Sequence, residues 1–247
     1  SLHDALPISN QIAHALDSTR QTGGIRCNYD SNLLEDVFTY NDFDVNHIRP
    51  ARAGRHLITE FAGHMFPTKH VDNVERHTRH TCLHAQVQSQ AAQAEHIAGA
   101  IGWCAFDYNT HLDFGSGDRI CHHGVCDMFR LPKYAAGVYR AQCDPAREVV
   151  LEPAFKWSAG DIAGGGGVGR AAVNTNCERL RFYLGEELID ELRPDLETYP
   201  GLEHPPVFLS PKLMSVWGAA WRPLRIEGWI GDRPVIEKTL SHRGEDR

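Results

Sequence analysis

The chain predicts an α/β fold followed by a smaller β-rich module, on two observations. Up to about residue 143, short apolar runs alternate with helical stretches, as in parallel α/β folds. From Asp144 the composition changes. Pro145, Pro153 and the glycine run 164–169 mark a linker over 144–170, and paired strand patterns fill 171–247. The length agrees, since 247 residues suit one or two domains and 42% apolar residues suffice for a sizeable core.

Four strands are expected in the first part, at 21–26, 36–40, 56–60 and 97–106. Residues 71–94 are the longest helical candidate, with Val74, Leu83, Val87, Ala91 and Ala94 loosely at helical intervals. Pro132 suits the opening turn of a further helix over 133–142. In the second part, 179–184 and 187–192 flank Gly185-Glu186, and 224–230 and 235–240 flank Gly231-Asp232. Both pairs read as hairpins, and together as a β-sandwich that stops early.

The net charge of −7 argues against nucleic acid or an anionic membrane as partner. No apolar run approaches 18 residues, so no transmembrane helix is expected. Seven cysteines without framework spacing suggest reduced thiols in a cytoplasmic setting. His77, His80 and His84 recur on one helical face. Such a trio could ligate a metal, but its simpler reading is the polar outer face of the helix. The run Cys121-His122-His123-Gly124-Val125-Cys126 lacks a second matching pair at zinc-site spacing. Residues 164–169 match G-x-G-x-x-G in form, but no strand precedes them and no amphipathic helix follows, so a flexible linker is expected.

Residues 57–69 read LITEFAGHMFPTK. Leu57-Ile58-Thr59 suits a buried strand, ended by Glu60 before a loop that holds Gly63 and Pro67. A carboxylate at a strand mouth, beside Phe61, His64 and Phe66, suits carbohydrate chemistry. Retaining glycosidases use one carboxylate as nucleophile and a second as acid/base, about 5–5.5 Å apart. Taken alone, Glu60 also fits a solvated strand-end acid. Trp103 lies in the apolar stretch 98–106, four residues before Asp107. A strand-end Trp offers a flat face to the C–H groups of a sugar while its N–H still bonds, and it equally suits a core.

ITEFAGHMFPTK, followed at 102–139 by GWCAFDYNTHLDFGSGDRICHHGVCDMFRLPKYAAGVY, resembles glycoside hydrolase family 2, the family of β-galactosidase, β-glucuronidase and β-mannosidase. ALDSTRQTGG at 15–24 and DVFTYNDF at 36–43 look like further members of the series, in the right order. The resemblance runs from about Asn10 to about Gln142 and more weakly beyond. It implies an incomplete (β/α)8 TIM barrel, about strands five to eight, over 10–143, followed by a partial β-sandwich. Glu60 would be the nucleophile at the end of the seventh strand. The family's acid/base ends the fourth strand in an Asn-Glu motif, and no Asn-Glu dipeptide occurs here. An N-terminally truncated piece is therefore expected, inactive and aggregation-prone when alone. The opening SLHDALPI resembles a translated sequencing adapter, so 1–9 is set aside as a non-native segment.

The resemblance also implies site residues. Trp103 would line the sugar subsite, and Tyr40 and Asn41 would hold the nucleophile. His64 resembles a ligand for a substrate hydroxyl. His123 would stand near the sugar, in a loop after the eighth strand. Glucuronidases of the family read the sugar carboxylate with Asn-x-Lys before a Gly of this loop. Here Cys121-His122-His123-Gly124 supplies no Lys. The leading expectation is a retaining exo-glycosidase for terminal β-D-galactosides. β-Mannosidase or another family 2 glycosidase is the alternative. A non-catalytic carbohydrate-binding or structural module, and a metal-binding protein, are the readings from other classes. No cofactor is expected; magnesium or sodium in the complete enzyme is left open, as is oligomerisation.

Overall fold

A computed structural model describes residues 2–24, 27, 29–30, 34–52, 54–113, 117–157, 170–217 and 222–241. Helix α1 (Leu2–Leu16) runs without a break through the segment set aside as non-native. Strands β1 (Phe38–Asn41) and β2 (His56–Ala62) follow. A single 3-10 turn, Gly63–Met65, leads to α2 (Val74–Gln93) and then β3 (Ile97–Trp103). The three strands form one parallel sheet in the order β1-β2-β3. A parallel bridge between Gly23 and Val37 extends it on the β1 side. Among the described residues the first expected strand is thus present only as that bridge, and residues 25 and 26 lie outside them.

Parallel neighbours need a long crossover, and α2 supplies it between β2 and β3. Asn73 caps the helix by accepting from the Arg76 N–H, and Glu75 sits in its positive first turn. Val74, Val87 and Ala91 are buried as expected, but so are His77, His80 and His84. The expectation of a polar outer face is corrected here. These imidazoles sit among aromatic rings: His77 meets Tyr134 edge-on at 4.8 Å, and His84 lies 5.4 Å from Phe61 and 5.7 Å from Tyr139.

After β3 come two short antiparallel strands, β4 (Tyr108–Asn109) and β5 (Ile120–Cys121). The helix expected over 133–142 shrinks to α3 (Ala136–Arg140). Pro132 sits in an antiparallel bridge with Cys126, and the Lys133 N–H donates to the Val125 carbonyl at 2.8 Å. Those contacts hold residues 132 and 133 extended, so the helix starts later.

The second part comprises β6 (Leu151–Pro153), β7 (Ala172–Thr175), β8 (Arg179–Leu184), β9 (Glu187–Leu192), β10 (Val207–Phe208), α4 (Pro211–Ser215), β11 (Leu224–Ile230) and β12 (Arg233–Leu240). They make a three-stranded sheet, β10-β7-β6, and a four-stranded sheet, β12-β11-β8-β9. Inward residues of both, including Leu151, Val173 and Val207 on one and Phe182, Ile226 and Leu240 on the other, share one core with Trp157. Both hairpins form where expected. Gly185 and Gly231 turn them at φ of 63° and 55°, where a side chain would be strained. Strand β6 lies inside the expected linker, so the sheets begin earlier than residue 171. The glycine run 164–169 lies outside the described residues. No described helix is long and apolar enough to cross a membrane.

The two parts meet along α2 and α3. Asn174 Nδ2 donates to the Tyr134 carbonyl at 3.0 Å, and the Gln142 side chain bonds both the N–H and the carbonyl of His204. The Gly201 N–H donates to Ser89 Oγ of α2 at 3.0 Å. A Cβ at Gly201 would lie 2.1 Å from the Ser89 carbonyl oxygen, so the chain must shift to admit one. Gly201→Ala should therefore lower the thermal unfolding midpoint, at a cost on the order of 1–3 kcal/mol. An unchanged midpoint would show that this contact does not dock the module.

Candidate active site

The parallel register brings strand exits side by side. Asn41 stands opposite Glu60, and Ala62 opposite Trp103. Strand β2 also holds an extra residue at 59–60 relative to both neighbours. It takes three steps from Ile58 to Phe61 while β3 takes two from Ala100 to Gly102, and β1 takes one while β2 takes two. Such bulges re-aim side chains beside active sites. Here Asn41 becomes a bridge: its Oδ1 accepts from Thr59 Oγ1 at 3.0 Å, and its Nδ2 donates to Glu60 Oε2. Glu60 does not end the strand as expected. β2 runs two residues further, and Ala62 and Gly63, both at positive φ, then turn the chain sharply. Gly63 packs on Trp103, where a Cβ would lie 3.2 Å from the indole Cδ1.

Beyond these exits runs a line of rings. Phe43 meets His64 at 4.9 Å, His64 lies 6.5 Å from His123, His123 lies 6.0 Å from Tyr108, and Tyr108 lies 6.2 Å from Trp103. The Trp103 N–H donates to the Tyr108 hydroxyl at 3.2 Å, and Trp103 is 39% exposed. Aromatic faces and imidazoles beside a carboxylate suit a polyhydroxylated ring, with apolar C–H faces and hydroxyls at its rim. Burial, reinforced by His64, lowers the basicity of His123, which favours a neutral ring able to donate and accept. Burial pushes the Cys104 thiol up to about 11, so it is no competing nucleophile.

The structure thus brings Asn41 to Glu60, and groups His64, His123 and Trp103. Tyr40 goes elsewhere. Among the described residues it makes no hydrogen bond to Glu60; its ring lies 5.2 Å from Tyr29 and beneath the Arg49 guanidinium at 5.3 Å. Side chains alternate along a strand, so Tyr40 and Asn41 could not both face Glu60.

Sequence reasoning missed the groups behind the loop at 117–127. Lys133, wholly buried, donates to Asp107 Oδ1 at 2.6 Å. Burial lowers the Lys133 ammonium, and the Asp107 carboxylate opposes that shift. Asp107 also accepts from the Gly124 N–H at 2.8 Å and faces His122 Nδ1 at 3.2 Å. His122 Nε2 reaches Asp118 at 2.9 Å, and Lys69 reaches the same oxygen at 3.1 Å. Asp107, four residues after a strand-end Trp, and a Lys directly after a Pro were the available signals. Among the described residues, no group of three or more His, Cys, Asp or Glu side chains could hold a metal ion.

The chain is 43% identical to a β-galactosidase of Thermoanaerobacterium thermosulfurigenes, over 94% of its length and 35% of that protein. It is 44% identical to a β-galactosidase of Thermoanaerobacter pseudethanolicus, over 98% of the chain and 34% of that protein. A Rhizobium meliloti β-galactosidase is 39% identical over 97% of the chain and 35% of its own length. The chain spans about a third of the length of these curated relatives. No family model matches it. Among solved structures, the β-glucuronidase of Parabacteroides merdae superposes with a TM-score of 0.66 at 13% identity, covering 96% of this chain and 32% of that one. Bacteroides uniformis β-glucuronidase 2 gives 0.65 at 15%, covering 95% and 30%. At such identities the structural likeness speaks for the fold alone.

Directly behind β2, burial holds the histidines of α2 neutral. His84 is lowered to about 4 by burial first and Lys133 second, and its Nδ1 bonds the Tyr139 hydroxyl at 2.8 Å. His80, 3.2 Å from His84 between ring nitrogens, is lowered well below its usual value for the same first reason. In the unfolded chain these rings take up protons near pH 6.5, while in the folded chain His84 does so only near 4. The unfolded state therefore binds more protons in between, and stability falls as pH drops through that window. The His84 share is on the order of 3 kcal/mol. Urea midpoints should be flat above pH 7 and fall towards pH 4.5, and His84→Gln should reduce the slope. Equal slopes in both proteins would contradict this.

Proposed function

We propose that this chain is the nucleophile-bearing part of a retaining exo-β-galactosidase of glycoside hydrolase family 2. The observation that carries the reading is Glu60, bonded by Asn41 at adjoining exits of parallel strands beside the His64–His123–Tyr108–Trp103 rings. Identity of 39–44% to β-galactosidases over nearly the whole chain supports it. A parallel sheet β1-β2-β3 with its Gly23 bridge supports reading this part as an arc of a (β/α)8 barrel, a fold whose ligands sit at the C-terminal strand ends.

In this mechanism Glu60 attacks the anomeric carbon while the aglycone leaves, giving a glycosyl ester that water then hydrolyses with retention. Asn41 fixes which carboxylate oxygen points away from the attack. His64 and His123 bond sugar hydroxyls, and Trp103 stacks on the apolar face. The second carboxylate, which protonates the leaving group, comes from a part of the relatives that this chain does not span. Galactose is favoured over a glucuronide because Cys121-His122-His123-Gly124 supplies no Lys, and Lys69 and Lys133 are paired with Asp118 and Asp107. β-Mannoside remains the alternative substrate.

In the full-length protein, Glu60→Gln should keep fold and sugar affinity but lower kcat on aryl β-galactosides by several orders of magnitude. Turnover at the parent rate would refute the assignment. Trp103→Ala should weaken substrate and transition state together, by on the order of 1–3 kcal/mol. Unchanged kinetics with a lower melting temperature would make Trp103 a packing residue only.

A further inference from the structure

Among the described residues Asp107 is one of the most buried carboxylates, and the chemistry above does not use it. It spends both oxygens on the segment that carries His123. Oδ1 accepts from the Gly124 N–H at 2.8 Å and from Lys133 Nζ at 2.6 Å, and Oδ2 faces His122 Nδ1 at 3.2 Å. His123 lies between those two tethered residues. Its own carbonyl accepts from the Cys104 N–H at 3.2 Å, one residue beyond Trp103. Gly124 leaves no slack: a Cβ there would lie 2.3 Å from the Cys126 carbonyl and 2.4 Å from the Asp107 nitrogen. The Asp107 N–H in turn donates to that Cys126 carbonyl at 2.9 Å.

Retaining a buried ion pair is costly unless geometry and further hydrogen bonds compensate, and an apolar pair of similar volume would often be at least as stable. A pair placed so that its carboxylate grips both neighbours of one imidazole has a use beyond stability. We propose that Asp107, neutralised by Lys133, is a positioning residue for sugar recognition: it fixes the His123 ring against the galactoside. The proposal rests on the reading of the site given above. Asp107 touches no substrate and moves no proton; it acts through His123.

The test is a double-mutant cycle in the full-length protein on an aryl β-galactoside, with Asp107→Ala, His123→Ala and the pair. Each single variant should lower kcat/KM by about 10–100-fold, chiefly through KM, because a small misplacement of a binding group has effects of that size. The pair should be no worse than the poorer single variant. Asp107→Asn keeps an acceptor for the Gly124 N–H and should recover most of the loss. Effects that multiply in the pair, or a lowered melting temperature at unchanged kcat/KM, would overturn the proposal. If Asp107→Ala does not fold, His122→Gln replaces it in the same cycle, with the same two outcomes deciding. Glu60→Gln serves as control. Its full activity would defeat the functional reading itself, whereas an inactive Glu60→Gln with a multiplicative cycle defeats only the role of Asp107.

Discussion

Glu60 and Asn41 face each other because β1 and β2 run parallel in a register that sets them opposite, with one extra residue in β2 just before. Everything placed around the carboxylate follows from that alignment. The neighbouring register puts Trp103 beside Ala62, so the indole reaches the same edge. The turn at Ala62 and Gly63 then carries His64 over towards Phe43 and His123. A one-residue slip would reverse the faces of β2 and turn Glu60 away from its amide partner.

The sheet is held from behind by a helix face that is unusually polar. Histidines fill the position that aliphatic side chains usually take beneath a parallel sheet. They remain tolerable because burial keeps them neutral and because rings and hydroxyls surround them, as with His84, Phe61 and Tyr139. Phe61, next to Glu60 in sequence, is in direct contact with this layer. Packing behind the strand and chemistry at its exit are therefore physically continuous.

Much of this was legible in the sequence, for identifiable reasons. The hairpins at Gly185 and Gly231 carry their turn chemistry locally, so their strands were placed to within two residues. Glu60, Asn41, His64, His123 and Trp103 were named from motif order, and the structure brings them to one edge. Other features depend on distant partners. Polar His77, His80 and His84 read as an outer face because their burial depends on Tyr134 and Tyr139, more than 50 residues away. The helix after Pro132 was overestimated because Lys133 is drawn out by Asp107, 26 residues earlier. The bulge in β2, and hence the choice of Asn41 over Tyr40, is a property of three strands together. Strand β6 was hidden because its partner β7 lies beyond a glycine run.

The central claim is that Glu60 forms a bond to the sugar. A galactoside with fluorine at C2 and a good leaving group slows hydrolysis of the glycosyl ester more than its formation, so the labelled enzyme accumulates. Incubating the full-length protein with such a reagent, then digesting it and sequencing the labelled peptide by mass spectrometry, reads the bond directly. The account predicts one added fluorogalactosyl group, on Glu60, within the peptide that contains ITEFAGHMFPTK. A label on any other residue, with Glu60 unmodified, would contradict it.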